Sequence, residues 1–197
     1  KYTLWVNVYG VSERYLNVYG EKDLRAQMNQ FFHRTYTHPV DGTTLDMKML
    51  CNWYWYDETA ILETGKGTKD WNFYRYAETL LSAAEAIAQS SGVNAEAAGY
   101  LAQVKARANM EGKDVSTIAS ELQRLGKQAF IEECWKERLR EFPLEMKIWD
   151  DCVRTGKFPQ ISATNKGEVQ FVDLIGAKNG SGATFKATDL YWPIPVN

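Results

Sequence analysis

Carboxylates are the most abundant groups able to do chemistry here, with 25 Asp and Glu residues, yet their spacing argues against hydrolysis. Splitting a glycosidic bond takes two carboxyl groups about 5 to 9.5 Å apart across a cleft. Asp150 and Asp151 are neighbours in helix-forming sequence and project in different directions; Glu132 and Glu133 fail for the same reason. His33 and His38 lie five apart, not four as in an H-E-x-x-H helix, and Pro39 puts the second in a loop. No G-x-S-x-G, Walker loop or G-x-G-x-x-G occurs, and Gly65-Lys-Gly67 lacks the third glycine and its strand–helix setting. The sequence therefore predicts no catalytic group, no metal site and no cofactor.

A second chemistry is better represented. Seven Trp and eleven Tyr make the chain 13% aromatic. A sugar ring has one apolar face ringed by hydroxyls, so a sugar site wants an aromatic face beside Asn, Asp, Gln or Arg. Three sets in irregular sequence fit: Trp5, Asn7 and Tyr9; Asn52, Trp53 and Trp55; and Trp71 with Asn72. Loops on a rigid scaffold are where binding residues concentrate. Trp135 and Trp149 have helical neighbours and read as core, and Trp192 as packed against the scaffold. A third group reads as structural. Arg75 and Glu78 share one helix face, and Glu137, Arg138, Arg140, Glu141 and Glu145 offer both charge signs near a helix junction. An Arg–carboxylate network there would fix one hairpin against the next.

The elements that must position these residues divide the chain into three stretches of one domain. Residues 1–72 are irregular and aromatic-rich, with a helix expected near 21–32, a loop around Asp41-Gly42, a strand over 47–57 and another loop at 65–68. Residues 73–157 form a helical-hairpin scaffold. Ala77, Leu80, Leu81, Ala84 and Ala88 recur at helical spacing up to Gly92, and Asn94 caps a second helix burying Ala97, Tyr100, Leu101 and Val104. A third helix is expected from Ser116 to Phe142, bent at Gly126, and a fourth from Pro143 to Gly156. Small residues at 77, 84, 97 and 108 allow the close approach found in tetratricopeptide-like hairpins, without a full repeat consensus. In residues 158–197, the segments 168–174 and 183–188 alternate like the strands of a β-hairpin, followed by an extended aromatic and proline-rich segment. The fold class is mainly α, with irregular aromatic loops and a small C-terminal β-hairpin.

Bulk properties exclude some partners. A net charge of −2 and a pI near 5.8 do not suit a phosphate-neutralising surface, so nucleic acid is excluded. No apolar run approaches the roughly 20 residues of a membrane span. Cys51, Cys134 and Cys152 form no C-x-x-C pair, and the latter two read as small core hydrophobes.

Four ordered stretches resemble the SusD/RagB family. They are Arg75-Tyr-Ala-Glu78 with Leu80-Leu81 and Ala84-Glu-Ala86; Leu101-Ala-Gln-Val-Lys-Ala-Arg-Ala108, where Lys105 replaces the usual first arginine; Ile131-Glu-Glu-Cys-Trp-Lys-Glu-Arg-Leu-Arg-Glu-Phe142 with Glu145, Trp149-Asp150, Arg154 and Gly156-Lys157; and Leu190-Tyr-Trp-Pro-Ile-Pro195. Asp23-Leu-Arg25 resembles the acidic–basic element that precedes them. The match spans roughly residues 20 to 195, and Pro143 departs from the helix formers usual there. Relatives extend much further on the amino side, so the resemblance implies a carboxy-terminal part of a longer protein. It further implies a non-enzymatic glycan-binding lipoprotein on the outer-membrane surface. That protein delivers oligosaccharides to a TonB-dependent transporter barrel (SusC-like), and its lipid anchor lies outside this chain. The competing reading is a helical-repeat protein-interaction module with no sugar role. Solvent-facing aromatics in a shallow cleft favour the first; a concave helical groove free of aromatics favours the second.

Overall fold

The computed structural model describes residues 10–191. Trp5, Asn7, Tyr9 and Trp192 lie outside the described residues, as does most of the Leu190–Pro195 segment. The fold is mainly helical with two small antiparallel strand pairs. β1 (Phe32–Thr37) pairs with β2 (Thr44–Asn52), then come α1 (Tyr76–Ser91), α2 (Ala95–Arg107), α3 (Val115–Leu122), α4 (Lys127–Glu141) and α5 (Ile148–Thr155), and β3 (Lys157–Ile161) pairs with β4 (Val169–Asp173).

The helices begin and end where local chemistry dictates. Asn94 accepts the Ala97 N–H at 2.9 Å, and Asp114 accepts the Thr117 N–H at 2.8 Å, each satisfying an orphan donor of a first turn. Gly92 (φ 83°) and Gly156 (φ 65°) end α1 and α5 in backbone that an L side chain rarely adopts. The alanine faces of α1 and α2 pack together, and α4 lies against α1. Leu81, Leu101, Ala84, Phe130 and Cys134 are fully buried between them. A second core gathers Val18, Tyr19, Phe32, Leu50 and Val169 around Leu139 of α4. Fully burying each Leu or Phe side chain is worth roughly 1.5–3 kcal/mol. Helix α4 thus feeds both cores, one from its first half and one from its second.

Several expectations are corrected. The helix expected over 21–32 is absent, and only a short 3-10 turn, Leu24–Ala26, forms there. Its backbone is engaged elsewhere: Leu24 N–H donates to Ala108 O at 2.8 Å, and Met110 N–H to Lys22 O at 3.0 Å. Asn29 at φ 61° then turns the chain into β1. The strand expected to reach residue 57 stops at Asn52, whose side chain accepts the Tyr54 N–H at 3.0 Å and starts the turn Trp53–Trp55. The single bent helix over 116–142 is two helices, because Gly126 takes an extended conformation (ψ 156°) and caps α4. Pro143 opens no helix. Leu144 (φ 60°) and Met146 (φ 59°) are left-handed, which delays α5 to Ile148. The C-terminal hairpin exists with a different partner: residues 169–173 pair with 157–161, from Lys157↔Asp173 to Ile161↔Val169, and not with 183–188. A two-stranded ribbon is all edge, and Pro159 is tolerated there. Residues 183–188 carry one isolated bridge, Lys178↔Thr184.

Trp149 is also corrected. It is 41% exposed and lies against Phe185 with ring centroids 5.6 Å apart, so it is not core. Trp135 packs partly buried on the helical core, its Nε1–H donating to Glu85 at 2.8 Å. Cys134 and Cys152 are buried as expected, and none of the three cysteines is in a disulfide.

Candidate functional site

The turn after β2 and the segment leading into α1 form one aromatic face. Trp53 stacks between His33 and Tyr56, with centroids at 3.7 and 4.4 Å and planes within 12° and 10°. Desolvation lowers the His33 pKa from its ordinary value, which favours the neutral ring in this stack. Trp55 packs against Trp71 at 4.6 Å with the planes 41° apart, and Tyr54 meets Trp55 edge-on at 4.9 Å. Trp71 is 47% exposed, and Asn72 beside it is exposed. The structure therefore brings Trp55 and Trp71 together and stands Trp53 a turn away in its own stack. Phe73, Tyr74 and Tyr76, all more than 70% exposed, follow in the chain, with Lys147 Nζ 4.7 Å from the Tyr74 ring centroid. Sequence reasoning passed over them because they adjoin a strong helical pattern and read as its first turn.

Beneath this face lies the charge network. Arg75 lies between Tyr74 and Tyr76 and forms the N-cap of α1. Its guanidinium donates to Glu145 from Nε and Nη2 at 2.8 and 2.7 Å, and from Nη1 to Glu141 Oε1 at 3.0 Å. Glu78 takes different partners, Arg138 at 3.3 Å and Lys147 at 3.1 Å, so Arg75 and Glu78 serve two branches and do not pair with each other. Arg140 reaches Glu133 at 2.9 Å and Glu137 at 3.2 Å. All seven residues singled out in the sequence are in ion pairs. Four residues central to the network were not singled out: Arg25, Lys105, Arg107 and Glu133. Buried Arg25 binds Asp23 at 2.7 Å, Glu137 at 2.8 Å and Glu141 at 3.0 Å. Lys105 pairs with Glu133, and Arg107 with Glu141. The signal for Arg25, Lys105 and Arg107 lay in Asp23-Leu-Arg25 and in the Lys105/Arg107 helix, and Glu133 sits in the Ile131–Phe142 stretch, all three part of the resemblance.

Electrostatics follow from this crowding. Burial alone would raise the Glu137 pKa, but Arg25, Lys105 and Arg140 outweigh it and hold the carboxyl well below the ordinary glutamate range. Glu133 is lowered in the same way, burial being opposed by Lys105 and Arg140. Carboxylates held so low stay ionised at neutral pH and cannot act as general acids. A second cluster joins α1 to α5: Arg154 grips Glu85 with two hydrogen bonds of 2.7 and 2.8 Å, and Asp151 bridges Arg138 and Arg154.

A helical-hairpin scaffold, stitched by buried ion pairs and bearing the Trp55–Trp71 pair on its irregular edge, defines the class of protein. A family model described as the SusD family matches residues 13–197. The chain belongs to the SusD family. No curated protein matches it. Among solved structures, it is similar to a SusD superfamily protein from Parabacteroides distasonis ATCC 8503, with 27% sequence identity and a TM-score of 0.75. That likeness covers 94% of this chain and 38% of the other, so this chain spans well under half of that protein's length.

Proposed function

We propose that this chain is part of a cell-surface nutrient-binding protein that holds oligosaccharides for a TonB-dependent outer-membrane transporter of the SusC type. It binds without cutting, and a lipid anchor outside these residues holds it at the outer membrane. The observation that carries the reading is the contact of Trp55 with half-exposed Trp71 on a SusD-family scaffold, beside exposed Asn72 and Phe73. Trp55 and Trp71 offer apolar faces for sugar rings, and Asn72 and the main-chain groups beside them offer partners for hydroxyls. Trp53, held in its stack with His33 and Tyr56, flanks the site, and Trp5, Asn7 and Tyr9 join it on the grounds of their alternation. Arg75, Glu78, Glu137, Arg138, Arg140, Glu141 and Glu145 act as the structural frame. Among the described residues no helix is long and apolar enough to cross a membrane.

A glycan array followed by isothermal titration calorimetry tests this. Saturable binding of an oligosaccharide with no products on chromatography supports the reading. Turnover would make the chain an enzyme. Absence of binding together with capture of a peptide in the helical groove would favour an interaction module. Trp5→Ala with unchanged glycan affinity would remove Trp5 from the site.

A further inference from the structure

Helix α5 carries an apolar stripe on its outer side. Trp149 and Val153, four residues apart, are neighbours along the helix and are 41 and 38% exposed. Among the described residues the ring packed on Trp149 is Phe185, which in turn rests on Phe158 with centroids 5.2 Å apart. One end of the stripe is therefore built and the rest is open. Phe185 is itself fixed by main chain: its N–H donates to Ala177 O, and its O accepts the Gly176 N–H, both at 2.9 Å. The turn Ala187–Leu190 follows, held by Asp189, whose carboxylate accepts the Lys186 N–H at 2.8 Å. It delivers the chain to exposed Tyr191, six residues after Phe185.

The next residues are Trp192-Pro-Ile-Pro-Val-Asn197, and five of the six are apolar. Such a composition favours burial over a solvated tail. Pro193 and Pro195 fix their own φ, bring no N–H, and press Trp192 and Ile194 into extended backbone. Both missing donors fall on one edge of the extended chain, so the segment suits a side-chain surface better than a sheet. It also has less freedom to lose on docking than an ordinary tail. The spacing fits as well. Alternate side chains of an extended chain are about 6–7 Å apart, and residues four apart in a helix are about 6 Å apart. Six extended residues reach about 20 Å, well beyond the length of the stripe.

We infer that residues 192–197 seat on the outer side of α5, with Trp192 and Ile194 lying along Trp149 and Val153 and Phe185 closing one end. The tether favours this occupant over a second copy, because a covalently attached segment has a high effective concentration at the stripe. The seat is on a different element from the Trp55–Trp71 pair and stands independently of sugar binding.

Hydroxyl-radical footprinting read by mass spectrometry reports the cover of each side chain, and Trp71, 47% exposed, is the internal reference. In the unsubstituted chain the seat predicts Trp149 oxidised about threefold more slowly than Trp71. Ile194→Asp puts a charge into the contact and is expected to raise the Trp149 rate about threefold, with Trp71 unchanged; Ile194→Leu keeps the protection. Val153→Asp, at an exposed position, is the reciprocal variant and unmasks Trp192. The melting temperature checks that each variant is folded. Trp149 oxidised as fast as Trp71 in the unsubstituted chain overturns the inference. So does protection that survives Ile194→Asp, or a Trp192 rate unchanged in Val153→Asp. Protection that fades on dilution overturns it too, and assigns the surface to a second copy.

Discussion

Arg75 and Glu145 face each other as a fork, with Nε and Nη2 of the guanidinium 2.8 and 2.7 Å from the two carboxylate oxygens. The Arg75 side chain is 19% exposed and that of Glu145 6%. The pair ties the entry to α1 to the irregular link between α4 and α5. Removing one partner of such a pair strands the other charge away from water. Glu145→Ala is expected to cost about 3 kcal/mol, the low end for a buried pair, because Arg75 keeps Glu141. Arg75→Lys cannot reproduce the fork and should be destabilising too. Chemical denaturation of the two single variants and the double variant gives the coupling energy directly, and independent effects would show that the fork contributes nothing.

Acid should unfold this protein through the same network. Glu137, Glu133 and Glu85 all have folded-state pKa values below the ordinary 4.5. A depressed carboxyl pKa contributes stability that is fully present above the unfolded value and is lost as pH falls through the folded one. The melting temperature is therefore expected to hold from neutrality to about pH 5 and then to fall progressively below the ordinary glutamate value. In Glu137→Gln the acid limb becomes shallower, from a lower starting stability. An identical acid limb in this variant would place the sensitivity elsewhere.

The thiols should separate by burial. Desolvation pushes the Cys152 thiol up to about 11, with Asp151 adding to it, and raises Cys134 as well. Thiolate is the reactive form, so both are expected to resist a thiol reagent in the native protein at neutral pH. Cys51, in β2 and partly exposed, labels first. Counting fast-reacting thiols before and after denaturation checks this, and fast labelling at Cys134 would mean that the α1–α4 core opens readily.

Leu81 is fully buried where α1 meets its neighbours. Leu81→Ala is expected to cost about 2–5 kcal/mol, the sum of lost transfer energy and a residual cavity. The same change at exposed Leu24 should cost well under 1 kcal/mol. Denaturant midpoints of the two variants compare them, and similar losses would show that the alanine-rich helix faces do not form the main core.

What could be read in the sequence was what repeats locally. The helical periods of α1 and α2, the Asn94 cap and the stops at Gly92 and Gly156 needed only neighbours within a few residues. The errors came where distant partners decide. The segment around Leu24 looks helical, but its backbone bonds to the loop after α2. Residues 169–173 look ready for a downstream partner but pair upstream, across a strand containing proline. Gly126 and Pro143 mark breaks, yet nothing nearby says whether a break bends a helix or ends it. For the candidate site, the charges of α4 were legible because they cluster in the chain. Their partner Arg25 lies 116 residues from Glu141, a distance only the fold closes. Trp55 and Trp71 were visible as aromatics, whereas their contact through the turn at Asn52 and the loop that Asp57 closes on the Thr68 and Lys69 N–H groups was not.

Sugar binding at the paired indoles is the central claim, and calorimetric titration of Trp71→Ala beside the unsubstituted chain tests it most directly, using the oligosaccharide that binds best on the array. Loss of one stacked ring is expected to weaken the dissociation constant by about tenfold, equivalent to about 1.4 kcal/mol, with the melting temperature unchanged and the sugar recovered intact. Equal affinity in the two proteins, or recovery of shortened sugar, would contradict the account.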